Sequence, residues 1–248
     1  MSKREEETPC SRCPLARCKG LRAHEPAEIP VIQAFKKGEV RIARGEVLIE
    51  QSRTRGKLYT LLDGIMMRYR LLPDGRRQIV NFMFPGDLIG LQAAFGEPAV
   101  HSVEALLPAR LCVFDQASFH DLVMAQPSLA YDITWLAAKE ETALEEHIVA
   151  LGRRSARERV AYLAVWLIER ARHTCLAESE NSLQLTVTQN QIADMLGLSL
   201  VHTNRTIKAL EREGMVLWRP TSITVPDIDT TSAFAKFDNR TEKLRPYL

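Results

Sequence analysis

The chain has 248 residues, of which 26% are charged and 46% hydrophobic, with a formal net charge of +2. That composition suits a water-soluble globular protein with room for two cores, and it excludes a disordered chain, a bundle of membrane spans and a globally basic coat for nucleic acid. Any affinity for a polyanion must therefore come from where charge is placed.

Residues 1–30 are polar and spaced by proline, and they read as loop or weak helix. Their first ten, MSKREEETPC, hold no apolar stretch of the kind that directs secretion, so a cytoplasmic protein with no membrane partner is expected. In that compartment cysteines bind metal or sense redox state more often than they form structural disulfides. From about Phe35 to Phe114 the pattern changes to short apolar segments: EVLIEQ, KLYTLLDG, IMMRYRLL, RQIVNFMF, DLIGL and LCVF. Turn signals at Gly38, Gly45, Gly64, Pro73-Asp74-Gly75 and Pro85-Gly86-Asp87 separate them, which predicts an antiparallel barrel or roll. A long helix is predicted from Pro127 to Leu151. Its seam of Leu129, Ile133, Leu136, Ala143 or Leu144, and Ile148 or Leu151 suits packing on the roll or pairing with a second copy, and periodicity alone leaves both open. Another amphipathic helix follows in RRSARERVAYLAVWLIERAR, with Arg153, Arg154, Arg157 and Arg159 expected on a solvated face.

The stretch from Leu185 to Val225 is the most informative. Thr188 is placed to cap a helix whose apolar stripe is Ile192, Ala193, Met195 and Leu196. Gly197 permits a left-handed turn, and Ser199 caps a second helix with Thr203, Ile207 and Leu210 toward the core. Gly214 ends it, and Trp218–Arg219 and Ser222–Val225 read as two strands of a wing. A winged helix-turn-helix of this kind lays its second helix in the major groove of double-stranded DNA. Its charges are nearly balanced, with Arg205, Lys208, Arg212 and Arg219 opposing Asp194, Glu211 and Glu213. The chain carries no catalytic carboxylate pair, phosphate loop or nucleophile elbow, and its histidines are scattered; an enzyme is not expected.

The phrases KGEV, RGEVLIEQ, YTLLDGIMMRY, DGRRQIVNFMFPGDLIGL, ITWLAAKEE, GRRSARERVAYL and LGLSLVHTNRT together resemble the Crp/Fnr family of bacterial transcription regulators, in particular an alphaproteobacterial group. The resemblance runs from about Ile32 to Val225. It implies an α+β fold: a cysteine-containing segment over 1–30, a cyclic-nucleotide-binding-like β-roll over 31–126, a dimerisation helix over 127–152, and a winged helix-turn-helix with its tail over 153–248. It also implies a homodimer on an inverted-repeat DNA site, with RNA polymerase as partner.

In the cAMP-binding branch a Gly-Glu pair holds the ribose and an Arg-Ser pair the phosphate. Here Gly90-Leu91 and His101-Ser102 stand at those places, without the acceptor or the permanent cation, so cAMP is not expected. In the oxygen-sensing branch, the fumarate-nitrate-reduction regulators, three N-terminal cysteines and one from a roll strand hold a [4Fe–4S] cluster. Cys10, Cys13, Cys18 and Cys112 match those positions, although the second gap is four residues where the well-known members have five. A zinc site of Cys10, Cys13, Cys18 and His24, or thiols that bind nothing and only react, are the alternatives. Cys175 has no partner motif. On the second DNA-reading helix, Val201, Asn204, Arg205 and Lys208 match the positions from which the family reads bases, and Ser199 and His202 are further candidate DNA contacts. Arg205 suits guanine and Asn204 suits adenine, while Val201 replaces the family's glutamate and offers only an apolar surface to a thymine methyl. His202, Lys208 and Arg212 suit phosphates or no contact at all.

Overall fold

The computed structural model describes residues 7–54, 56–177, 179–238 and 243–248, so residues 1–6 of the expected N-terminal segment lie outside it. The arm begins with two 3-10 turns, Cys10–Arg12 and Pro14–Arg17, and leads to helix α1 (Glu28–Phe35). Eight strands follow: β1 (Lys36–Ile42), β2 (Val47–Ile49), β3 (Lys57–Asp63), β4 (Met66–Leu71), β5 (Arg77–Met83), β6 (Leu88–Ile89), β7 (Ser102–Ala105) and β8 (Ala109–Asp115). They form two antiparallel sheets ordered β1-β8-β3-β6 and β2-β7-β4-β5. Alternation of apolar side chains puts Ile42, Leu61, Met66, Met83, Val103 and Leu111 between the sheets. The Pro73-Asp74-Gly75 turn closes the β4–β5 hairpin, with the Gly75 N–H donating to the Leu72 carbonyl at 2.9 Å. The expected roll is therefore present.

Two helices then connect the roll to the rest: α2 (Phe119–Ala125) and α3 (Pro127–Arg153). The first half of the α3 seam, Leu129, Ile133 and Leu136, is buried on the roll, whereas Ile148 and Val149 are 69% and 48% exposed. The helix thus divides its seam between its own roll and open surface. It also runs through Gly152, so the break before α4 (Ala156–His173) falls later than the sequence suggested. Ser155 starts α4 with a reciprocal capping box to Glu158, which satisfies two first-turn N–H groups.

The C-terminal part contains β9 (Ser182–Gln184), α5 (Gln189–Leu196), α6 (Leu200–Arg212), β10 (Leu217–Trp218), β11 (Ser222–Thr224) and α7 (Ile228–Ala235). The wing is a three-stranded sheet, β10-β11-β9, not the two strands the sequence signalled. Almost every apolar residue of α4 from Val160 to Ala171 is buried. One continuous core therefore joins α4 to α5, α6 and the wing on one side and to Ile65, Met67, Phe82 and Phe84 of the roll on the other.

Of the four arginines around the start of α4, Arg153 and Arg157 are exposed as expected, whereas Arg154 and Arg159 are not. Arg154 is 8% exposed, stacks over the Tyr162 ring at 4.3 Å and donates to the Lys236 carbonyl at 2.9 Å. Arg159 donates to the Leu196 carbonyl at the end of α5, at 3.1 Å, and Arg157 pairs with Glu213. Arg154 and Arg159 bind helix-end carbonyls and, for Arg154, a ring face instead of facing water, because the carbonyls left open at a helix terminus and a ring face both attract a cation.

Candidate nucleic-acid interface and cysteine site

Local signals build the DNA-facing unit. The Thr188 hydroxyl accepts from the Gln191 N–H at 3.2 Å, and the Gln191 side chain accepts from the Thr188 N–H at 2.8 Å. Gly197 ends α5 in the left-handed region at φ 61°, which glycine adopts without a Cβ penalty. The Ser199 hydroxyl then accepts from the His202 N–H at 3.2 Å and starts α6. Thr203, Thr206, Ile207 and Leu210 are buried, so α6 turns Val201, His202, Arg205 and Lys208 outward. The Thr203 hydroxyl is buried without a hydrogen-bond partner among the described residues; an apolar residue would fit there as well.

The predicted contact positions are therefore brought to one exposed face, with one qualification of chemistry. Asn204 is half-buried and donates to the Gln189 side chain at 2.9 Å, so one of its amide hydrogens is already engaged by α5. Val201, 61% exposed, leaves an apolar point at the start of that face. Nothing on the face resembles a reaction centre; it is a shaped surface of donors, which is what base edges and phosphates require.

The roll pocket lies between the sheets and α3 and has a volume of about 620 Å³. Arg68 lines it, but the guanidinium pairs with Glu140 of α3, which also accepts from the Asn81 amide at 3.0 Å. His101 lines it too, and burial, reinforced by Arg68 and Arg70, lowers its pKa to about 4. The imidazole is thus neutral near pH 7. The Ser102 hydroxyl accepts from the Gln51 N–H at 3.0 Å. The two positions expected to hold a phosphate are engaged or uncharged.

The cysteines sit where the arm meets the roll. Cys112 lies on β8 opposite Glu39 of β1 and Thr60 of β3. Cys10, Cys13, Cys18 and Cys112 share one apolar cluster with Leu15, Leu58, Phe114 and Tyr247. Cys10, Cys13 and Cys112 are free thiols. Burial is the main cause that raises all three, Cys112 to about 12, against the opposing pull of Lys36. Lys36 donates to the Thr8 carbonyl at 2.6 Å and to Glu39 at 2.8 Å, which keeps a cation beside the thiols.

Cys18 departs from expectation. It forms a disulfide with Cys175, which no partner motif had marked, with Cα atoms 5.3 Å apart. The donor set tests the iron–sulfur expectation directly. Cys10, Cys13 and Cys112 lie near enough to act on one another's charge, but the fourth, Cys18, is bonded elsewhere. No group of three or more His, Cys, Asp or Glu among the described residues is arranged to hold a metal ion. The residues as folded here do not fit a four-thiolate cluster. The same bond removes Cys18 from the alternative zinc set, and His24 turns to Glu28, 3.8 Å away, and to the Tyr247 ring, with centroids 4.2 Å apart.

Sequence reasoning also missed the C-terminal tail. Arg245 pairs with Leu21 as a short parallel bridge, and its guanidinium binds Asp87 at 2.8 Å. Tyr247, 2% exposed, faces the Cys13 thiol, whose charge, after burial, raises the phenol above its ordinary range. No local pattern marks these residues, since their partners are more than a hundred residues away.

Two family matches cover these regions: the cyclic nucleotide-binding domain over residues 39–126 and the Crp-like helix-turn-helix domain over residues 158–230. The nitrogen fixation regulation protein FixK of Bradyrhizobium diazoefficiens is 35% identical over 211 residues, 84% of this chain and 85% of that protein. The transcriptional activatory protein AadR of Rhodopseudomonas palustris is 32% identical over 230 residues, 92% of each. Among solved structures, FixK2 from Bradyrhizobium japonicum has a TM-score of 0.68 at 25% identity, over 82% of this chain and 98% of that one. With a roll, a connecting helix and an outward-facing α6 in the same order, and with that identity along most of its length, the chain belongs to the Crp/Fnr family of transcription regulators.

Proposed function

We propose that this DNA-binding regulator acts in the cytoplasm as a homodimer on an inverted-repeat site, recruits or contacts RNA polymerase there, and responds to oxygen or redox state through the cysteines of its arm and roll. The observation that carries the DNA reading is the outward face of α6, with Arg205 and Lys208 exposed and Thr203, Ile207 and Leu210 buried behind them. The exposed second half of α3, with Ile148 and Val149, supplies an apolar surface for the second copy. For the signal, support comes from four cysteines in one apolar cluster and from a further relative, the anaerobic regulatory protein of Haemophilus influenzae, 26% identical over 188 residues.

The ligand set of a [4Fe–4S] cluster would be Cys10, Cys13, Cys112 and a Cys18 released from Cys175. Such a group would supply an oxygen-labile centre at the junction of arm and roll. The protein's own part is to keep the thiols dry and to place Lys36 beside them, which favours their ionised form when burial opposes it. Purification under argon tests this reading: a brown protein with about four irons per chain supports it, and a colourless one excludes the cluster.

The DNA reading is tested by Arg205→Ala. The expected loss is about 1–3 kcal/mol per half-site on the specific sequence, with little change on random duplex. Equal losses on both would reduce Arg205 to a phosphate contact.

A further inference from the structure

We propose that Cys18 and Cys175 form a reversible thiol–disulfide latch between the N-terminal arm and the DNA-binding domain, and that Cys18 is shared between this latch and the cysteine site, so that each state excludes the other. This deepens the redox reading above and rests on it for its biological meaning, but the latch itself requires no metal.

The approach of the two segments is built into the backbone. Cys175 follows α4 directly and lies in the left-handed region at φ 63°, unusual for a residue other than glycine. The turn is held by the Leu176 and Ala177 N–H groups, which both donate to the Ala171 carbonyl, at 3.1 and 3.2 Å. On the arm, the Gly20 N–H donates to the His173 carbonyl at 3.2 Å. A Cβ added at Gly20 would lie 2.5 Å from the His173 Cβ and 2.6 Å from its carbonyl oxygen. Only glycine permits this contact, so the arm is pressed against the end of α4 independently of the sulfurs. The tail secures it from the other side: the Arg245 N–H donates to the Gly20 carbonyl at 2.9 Å, and the Arg22 N–H to the Arg245 carbonyl at 2.8 Å. A Cα separation of 5.3 Å lies within the range that a disulfide spans without backbone movement.

The two residues differ in the way a reactive and a resolving cysteine differ. Cys175 is exposed, whereas Cys18 is 5% exposed. A peroxide therefore meets Cys175 first. Its thiolate attacks one peroxide oxygen, the O–O bond breaks, and a sulfenic acid and one water result. The Cys18 thiol then attacks the sulfenic sulfur, the S–O bond breaks, and the oxygen leaves as a second water. In sum two thiols and one hydrogen peroxide give one disulfide and two waters. A dithiol reductant reverses the bond by exchange. Because the bond joins positions 157 residues apart, it ties the arm covalently to α4, the helix against which α6 packs. It also takes from the cysteine site the sulfur that a fourth thiolate would need.

The test uses the full-length protein, reduced under argon and then treated with hydrogen peroxide. Alkylation after denaturation should find free thiols falling from five to three per chain, and peptide mapping without reduction should recover Cys18 joined to Cys175. Cys175→Ser should give no linked peptide and leave Cys18 alkylated. Reconstitution with ferrous iron and sulfide then separates the two readings. If reduced wild type takes up iron, oxidised wild type should not, and peroxide-treated Cys175→Ser should regain uptake. If no form takes up iron, the cluster reading fails while the mapped bond still supports the latch. Recovery of other pairs, such as Cys10 with Cys13, or five free thiols after peroxide, overturns the latch whatever the iron content.

Discussion

Asp87 ties the roll to α4 and to the C-terminal tail through one buried carboxylate. Its carboxylate is buried in the Pro85-Gly86-Asp87 turn and accepts from Arg170 of α4 at 2.7 Å, from Arg245 of the tail at 2.8 Å and from the Phe84 N–H at 2.8 Å. Both arginine side chains are 15% exposed, which limits the hydration either can recover if the carboxylate is removed. Removing one partner of a buried pair costs about 3–5 kcal/mol, because a charge is left without compensation. Asp87→Ala takes this carboxylate from two guanidiniums at once and orphans an N–H, which places the expected loss at the upper part of that range. For a chain of this size, roughly 2–4 °C of Tm per kcal/mol gives, for about 4–5 kcal/mol, a fall of about 8–20 °C. Asp87→Asn keeps an acceptor for the Phe84 N–H and should cost less, which separates charge from hydrogen bond.

The pH dependence follows from the same contacts. Burial alone would raise the Asp87 carboxyl, but Arg170 and Arg245, with the Phe84 N–H, hold it below the ordinary carboxylate range. Its contribution is therefore complete above the unfolded value of about 3.9 and is lost as pH falls through the lower folded value. The deficit of Asp87→Ala, measured by urea unfolding at several pH values, should be constant from pH 5 upward. A deficit below about 1 kcal/mol, the value of an exposed pair, would refute the reasoning.

Two further outcomes follow. Tyr247→Ala removes a buried ring from beside Cys13 and His24, so alkylation of Cys13 by iodoacetamide should accelerate by about tenfold or more through local opening, checked by a peptide-mapped time course; an unchanged rate would mean the tail does not cover the thiol. His147, whose Nε2 lies 3.1 Å from the Met195 sulfur, has a pKa lowered to about 4, by burial first and then by Arg154. The unfolded chain binds its proton near pH 6.5 and the folded one does not, so stability should fall between about pH 6.5 and 4, at up to about 1.4 kcal/mol per pH unit for this group. His147→Asn should flatten that part of the profile; an identical slope in both proteins would argue against a buried neutral imidazole.

What could be read in advance depended on how far apart the interacting residues are. Thr188, Gly197 and Ser199 act on N–H and carbonyl groups within four residues, and the helix-turn-helix they announce is present. Pro73-Asp74-Gly75 likewise marked its hairpin. The third wing strand, β9, has only three residues and pairs across 38 positions or more, as Leu183 does with Ile223, so no local pattern gave it away. Arg154 looked like any solvent-facing cation in an amphipathic run, because the Tyr162 ring and the Lys236 carbonyl that bury it are supplied by other elements. Cys175 was silent for the same reason: its partner is set by the packing of Gly20 on His173, which spacing does not encode. The cysteines of the arm were legible as a group, but the fate of Cys18 was not.

The division of α3 has a practical consequence. Leu129, Ile133 and Leu136 belong to the protomer's own interior, while Ile148 and Val149 face outward from the same rod. If the second copy docks on that outward face, as proposed above, folding and association fall largely to different stretches of one helix. A lesion at Leu129, Ile133 or Leu136 should melt each subunit at any concentration, whereas one at Ile148 or Val149 should leave subunits intact and move the dilution at which they part. A regulator arranged in this manner can evolve a tighter or looser partnership without renegotiating the stability of its sensor.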